Sequence, residues 1–114
     1  MILQLNKEFD GDRFTELVYI ENDILQGSFL LNYSNRVNAD IYQLFVDIKF
    51  RNKGIATKLI NECIKIANNN DCHTVTLVAI KDNEIANKLY KNLFFKMVYK
   101  YNNGDYLMIR DLKW

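Results

Sequence analysis

The stretch Val46-Asp47-Ile48-Lys49-Phe50-Arg51-Asn52-Lys53-Gly54-Ile55-Ala56-Thr57-Lys58 decides how this chain is read. An apolar strand stops at a small cationic turn, and a helix opens directly behind it. The first backbone N–H groups of a helix have no intrahelical partner and lie at the positive end of its dipole, so a diphosphate can receive several hydrogen bonds there. Gly54 and Ala56 matter by being small, since a larger side chain at either place would hold a ligand off the amides. Arg51, Lys53 and Lys58 add positive charge around the same point. Residues 49 to 58 hold Lys49, Arg51, Lys53 and Lys58 and no acid, which suits a polyphosphate.

Downstream, a β-type run from Thr74 to Ile80 precedes Asn83-Glu84-Ile85-Ala86-Asn87-Lys88-Leu89-Tyr90-Lys91-Asn92-Leu93-Phe94-Phe95. Together the two segments resemble the GNAT superfamily of N-acyltransferases. The turn matches that family's acyl-CoA signature, Arg/Gln-x-x-Gly-x-Gly/Ala, and the second segment its Asn-x-x-Ala-x-x-Leu-Tyr-x-x-x-Gly-Phe pattern. The likeness covers about residues 24 to 112. Ile48 stands where the family often has Pro, and Phe94 where it usually has Gly. A Gly there ends the helix in a left-handed conformation that costs other residues roughly 1 kcal/mol, so Asn92 is the expected alternative stop, two residues earlier.

Periodicity supplies the remaining elements. Phe14 to Ile20 and Ile24 to Tyr33 are rich in aromatic and β-branched residues and flank Glu21-Asn22-Asp23, which predicts an antiparallel hairpin. A strand over 39–46 should place Ile41, Gln43 and Phe45 on one face and Asp40, Tyr42, Leu44 and Val46 on the other. The segment Ile55 to Asn68 carries a helical stripe of Leu59, Cys63, Ile66 and Ala67, widened by Ile60 and Ile64. A second helix, capped by Asp82 or Asn83, should turn Ile85, Ala86, Leu89 and Leu93 inward. Phe95 to Tyr101 and Tyr106 to Leu112 predict a last hairpin, with positive φ at Asn103-Gly104.

Strand, helix, strand in the middle implies a parallel crossover inside an otherwise antiparallel sheet. The expected fold is therefore α/β in the α+β sense: a GNAT-like mixed, mostly antiparallel sheet with a central βαβ crossover and two main helices. The family usually places a strand and two helices before the first hairpin, and those helices form one wall of the acceptor site. Only about 13 residues precede Phe14 here, enough for a short strand but not for the helices.

With 114 residues, 49% of them hydrophobic, the chain is large enough for one core and too small for two ordinary domains, so residues 1–114 are expected to form one domain. A net charge of +1 gives no general case for nucleic acid or an anionic membrane as partner. The opening Met1-Ile2-Leu3-Gln4-Leu5 is too short for a signal peptide and no apolar run reaches membrane-spanning length, which predicts a cytoplasmic protein with Cys63 and Cys72 reduced. His73 is the single histidine, and no metal site is expected.

Amine attack on an acetyl thioester needs a neutral amine, a polarised carbonyl and a stabilised leaving thiolate. The resemblance implies a residue for each role, with acetyl-CoA as co-substrate. Tyr90 matches the family's acid toward the CoA sulfur, and Asn83 the position that contacts the pantetheine arm. The diphosphate falls to Arg51, Asn52, Lys53, Gly54, Ile55, Ala56 and Thr57. A backbone N–H at Phe45 or Val46 would polarise the carbonyl. Asp40 resembles the strand carboxylate that takes the amine proton, with Asp47, Glu84 and water as competitors. The implied activity is direct transfer in a ternary complex to a primary amine, a protein lysine or N-terminus. Without the helical wall the acceptor groove should be open, and a homodimer partner could supply the wall. The rival reading is a GNAT-like CoA-binding or regulatory module without turnover.

Overall fold

The computed structural model describes residues 1–9, 12–33, 37–51 and 53–112. Among these residues, seven strands form one sheet in the order β1-β2-β3-β4-β5-β7-β6. They are β1 (Ile2–Phe9), β2 (Asp12–Glu21), β3 (Ile24–Asn32), β4 (Asn38–Val46), β5 (Thr74–Ala79), β6 (Lys96–Lys100) and β7 (Tyr106–Asp111). Helix α1 (Ile55–Asn69) links β4 to β5, the one parallel pair among the described residues, and α2 (Glu84–Asn92) links β5 to β6. The mixed sheet with a central crossover is the expected architecture.

Strand β1 runs antiparallel to β2 with Ile2 opposite Tyr19 and Phe9 opposite Asp12, so only residues 10 and 11 separate the two strands. No helix pair can occupy that connection. In the β2–β3 hairpin Asn22 and Asp23 both take left-handed φ, 52° and 62°, as a two-residue primed turn requires. In the last hairpin only Gly104 does so, at 92°, whereas positive φ was also expected at Asn103. The Gly104 N–H donates to the Tyr101 carbonyl and the Tyr101 N–H to the Asp105 carbonyl, a three-residue loop that needs one left-handed residue rather than two.

Alternation assigns the sheet's two faces. Leu17, Phe29, Leu31, Ile41, Val75, Leu77 and Met108 lie on one face and are buried beneath α1, whose Ile55, Leu59, Ile60, Cys63, Ile64, Ile66 and Ala67 complete the core. A Cβ added to Gly27 would meet Ile55 Cγ2 at 3.2 Å and Leu59 Cδ1 at 3.3 Å, so Gly27 sets how closely α1 approaches. The cross-strand rows Leu3–Val18–Ser28–Phe45 and Leu5–Glu16–Leu30–Tyr42 lie on the opposite face. There Leu3, Leu5, Tyr42, Phe45 and Val78 are 40 to 49% exposed.

The strict alternation expected for β4 fails at Gln43. This residue takes φ 53° in a bulge opposite β3, and the added residue shifts the pattern by one. Ile41 points into the core before it; after it Leu44 and Val46 pack on the core and Phe45 turns out. The same bulge coincides with a split in the sheet. Strands β4 and β5 pair only at Asn38–Thr74, Ala39–Val75 and Asp40–Thr76, after which they part.

Helix α2 ends as the family's Gly pattern would have it, with Phe94 in the Gly role. Phe94 takes φ 69°, its N–H donates to the Lys91 carbonyl, and the Phe95 N–H donates to the Tyr90 carbonyl at 3.0 Å. This is a Schellman cap, and its usual apolar contact is made by the Tyr90 and Phe95 rings, edge to face at 6.4 Å. The expected left-handed stop at Asn92 does not occur. Tyr90 is thus locked by the cap rather than placed in a fraying end. Ile85, expected inward, is 76% exposed, because the first turn of α2 stands at the mouth of the split rather than over the core.

Candidate active site

The cationic turn is built locally. The Asp47 carboxylate accepts from the Lys49 N–H at 2.9 Å and caps a 3-10 turn over Ile48–Phe50. Gly54 is the N-cap of α1 with φ 78° and brings no side-chain cap. The first bonded amide is that of Lys58, which donates to the Gly54 carbonyl at 3.0 Å. The N–H groups of Ile55, Ala56 and Thr57 therefore have no partner among the described residues, and the first turn of α1 contains no acid. A Cβ at Gly54 would meet no protein atom within 4 Å, so within the protein it is backbone conformation rather than space that calls for glycine.

A cleft of about 650 Å³ opens in front of these amides, between the separated edge of β4 and helix α2. Of the residues expected to bind cofactor, Val46, Arg51, Gly54, Ile55, Ala56, Thr57 and Asn83 line it, as does Tyr90. Uncapped amides, Arg51 and no opposing acid in the helix's first turn fit a diphosphate. Arg51 donates from Nε to the Val46 carbonyl at 3.1 Å, which fixes its stem and leaves the terminal nitrogens for a ligand. Asn83 caps α2 by accepting from the Ala86 N–H at 3.3 Å. Asn52 lies outside the described residues.

Two expected cations point elsewhere. Lys53 Nζ lies 5.5 Å from the centre of the Phe50 ring and Lys58 Nζ 5.5 Å from that of Tyr19, and neither lines the cleft. Lys88 of α2 does line it, a contribution that no motif position announces. Phe45 is also outside the lining. Its carbonyl lies 2.9 Å from where a Gly27 Cβ would be, so its backbone is turned toward β3. Alternation then turns the backbone of Leu44 and Val46 toward the split, and both line the cleft.

A smaller cavity of about 170 Å³ adjoins the split and is lined by, among others, Asp40, Tyr42, Thr76 and Tyr90. Gln43, Leu44, Val78 and Tyr90 line both spaces. Tyr90 and Asp40, 50 positions apart in sequence, are thus brought to one cavity from opposite faces of the sheet. Tyr90 is 6% exposed, and burial pushes its phenol up to about 12. Asp40 accepts from Asn38 Nδ2 at 2.9 Å and from the Thr76 hydroxyl on one oxygen, and from the Tyr42 hydroxyl at 3.4 Å on the other.

The architecture is a mixed sheet split beside an uncapped helix start. The chain belongs to the acetyltransferase (GNAT) family, whose family model matches residues 3–95. It is 32% identical over 95 residues to N-alpha-acetyltransferase 30 of Schizosaccharomyces pombe, a match that covers 81% of this chain and 59% of that protein. In fold it is similar to Ard1 from Thermoplasma volcanium, with a TM-score of 0.75, 24% identity, and 84% and 69% of the two chains covered. It is likewise similar to the PaiA N-acetyltransferase of Thermoplasma acidophilum in complex with coenzyme A, with a TM-score of 0.78, 19% identity, and 86% and 60% covered. The chain spans just under six tenths of the length of the fission-yeast relative.

Proposed function

We propose that this chain is an acetyl-CoA-dependent N-acetyltransferase that passes the acetyl group directly to a primary amine. The observation that carries the reading is that two cavities, one at the uncapped amides of α1 and one at Asp40, share Gln43, Leu44, Val78 and Tyr90 in their walls. When bound, acetyl-CoA supplies the acetyl thioester. The N–H groups of Ile55, Ala56 and Thr57 with Arg51 hold its diphosphate, and Asn83 and the β4 edge steady the arm between diphosphate and thioester. A backbone N–H of Leu44 or Val46 on that edge takes the role expected of Phe45 or Val46, donating to the carbonyl oxygen as it gains negative charge.

Asp40 takes a proton from the attacking amine, directly or through a water: an N–H bond breaks, a carboxyl O–H forms, and the proton then passes to solvent. Tyr90 stays protonated through the neutral range because its phenol is pushed to about 12. A thiol titrates near roughly 8.5, so Tyr90 stabilises the leaving sulfur as a hydrogen-bond donor more readily than by complete proton transfer.

The acceptor approaches from the sheet face that carries Asp40 and Tyr42, where no helix intervenes between β1 and β2. That openness favours a polypeptide amine. The fission-yeast relative is named for α-amino acetylation, which favours an N-terminus over a lysine. A homodimer partner on the open face would narrow the groove. The cytoplasmic setting stays part of the reading, supported by Cys63 and Cys72, both buried as thiols rather than joined in a disulfide. Phe94 in the family's Gly position gives no support to the non-catalytic rival, because the cap it forms keeps Tyr90 in place. Intact-mass spectrometry of the protein incubated with acetyl-CoA and peptides bearing free amines tests the proposal. Peptides gaining one acetyl group each support it; bound CoA with no acetylated peptide would favour the binding module.

A further inference from the structure

We propose that Thr76 and Asn38 are positioning residues that aim the Asp40 carboxylate at the incoming amine, an inference that rests on the acetyl-transfer reading above. Asp40 and Thr76 form the last register pair before β4 and β5 part. The Thr76 hydroxyl donates to Asp40 Oδ1. Asn38 Nδ2 donates to the same oxygen at 2.9 Å and to the Thr76 hydroxyl oxygen at 3.0 Å. The Thr74 hydroxyl in turn donates to Asn38 Oδ1 at 2.7 Å. The direction of this chain is forced. An ionised carboxylate only accepts, so the Asn38 NH₂ must face Asp40 and its carbonyl must face Thr74.

Two donors therefore engage Oδ1, while Oδ2 has the longer contact from Tyr42 at 3.4 Å and is the oxygen left to take a proton. Backbone pairing alone would leave a half-buried Asp on this face free to change rotamer. The clasp removes that freedom at the root of the split, where a displacement of about 1 Å is enough to slow a proton transfer severely. Thr76 is 92% buried yet keeps a hydroxyl in a row that Val would fill equally well, which is the cost expected of a residue retained for orientation.

The test measures single-turnover acetyl transfer from acetyl-CoA to a peptide library with free N-termini and lysines, alongside acetyl-CoA affinity by calorimetry. Thr76→Val should lower the rate about tenfold with acetyl-CoA affinity unchanged, while Thr76→Ser stays within about twofold of the parent. On an Asp40→Asn background Thr76→Val should add less than about a twofold loss, because both changes act through one carboxylate. Asn38→Ala at a half-buried site gives the same comparison should Thr76→Val fail to fold. Losses that multiply in full on the Asp40→Asn background would overturn the assignment. So would parent rates in both Thr76→Val and Asn38→Ala, and in that case the activity itself would stand. A parent that acetylates nothing would overturn the activity, and the positioning role with it.

Discussion

Replacing Tyr90 by Phe should separate activity from stability in a way that only a functional hydroxyl allows. The ring is 6% exposed and closes the helix cap against Phe95, and both contacts survive in Phe. The hydroxyl contributes nothing comparable to the fold, since its titration is governed by burial alone, with no hydrogen bond to a described residue. Removing a poorly satisfied hydroxyl from such a place should leave stability unchanged or raise it by up to about 1 kcal/mol. Turnover should fall roughly 100-fold with little change in acetyl-CoA affinity. The phenol gives an independent handle. Its folded pKa of about 12 lies above the ordinary 10.0, so it leaves stability untouched below pH 10, while its ionisation destabilises the fold as the pH rises from 10 through 12. Thermal unfolding of parent and variant between pH 8 and roughly 12 should diverge only at the alkaline end, where the parent alone carries this loss. Rates are to be measured in a single turnover, since slow product release would mask a chemical defect. A parental rate would remove Tyr90 from the chemistry. A stability loss above about 1 kcal/mol would mean that the hydroxyl is bonded within the fold and that the cap argument is wrong.

Ala56→Glu should abolish acetyl-CoA binding in calorimetry while leaving the melting temperature unchanged or slightly raised, because an acid in the first turn of α1 favours the helix dipole and opposes a diphosphate. Gly54→Arg should lose binding as well, with about 1 kcal/mol of strain added by the left-handed φ; unimpaired binding in either variant would remove the phosphate assignment. Gly27→Ala forces a Cβ to within 2.9 Å of the Phe45 carbonyl oxygen and 3.2 Å of Ile55 Cγ2. It should destabilise by about 1 to 3 kcal/mol in denaturant titration and weaken acetyl-CoA by lifting the start of α1; a neutral effect would mean that the helix approaches less closely than described.

The cationic turn before α1 was legible because its signal is local: one glycine, one alanine and an acid-free run of cations beside a helix start. The α1 stripe was equally clear, since all six of its expected core residues are buried. What the sequence concealed depends on register. A bulge at Gln43 leaves no compositional trace, because glutamine has no special tolerance for φ 53°, so the inversion of Phe45 against Leu44 could not be read from alternation. Phe94 misled in the other direction: intrinsic preference argued for Asn92, and the pairing of Tyr90 with Phe95 overrode it. The clasp around Asp40 was invisible for a similar reason. Asn38, Thr74 and Thr76 become neighbours only once a parallel pair is aligned, and no short-range pattern specifies that alignment.

The parting of β4 from β5 gives this sheet four margins instead of two. The outer margin at β6 is guarded by Lys96 and Lys100, the kind of charged flank that discourages a second strand from adding on. The two inner margins have no such guard, yet they face each other inside the molecule, walled by α1 and α2, where another chain's strand has little access. Unmet backbone donors and acceptors that would be an aggregation hazard on the rim become, in the middle, a slot that only a slender partner can enter. Filling that slot should knit the halves of the sheet together, so that amide exchange along residues 41–46 and 77–79 slows when the cleft is occupied and the molecule melts as a tighter unit.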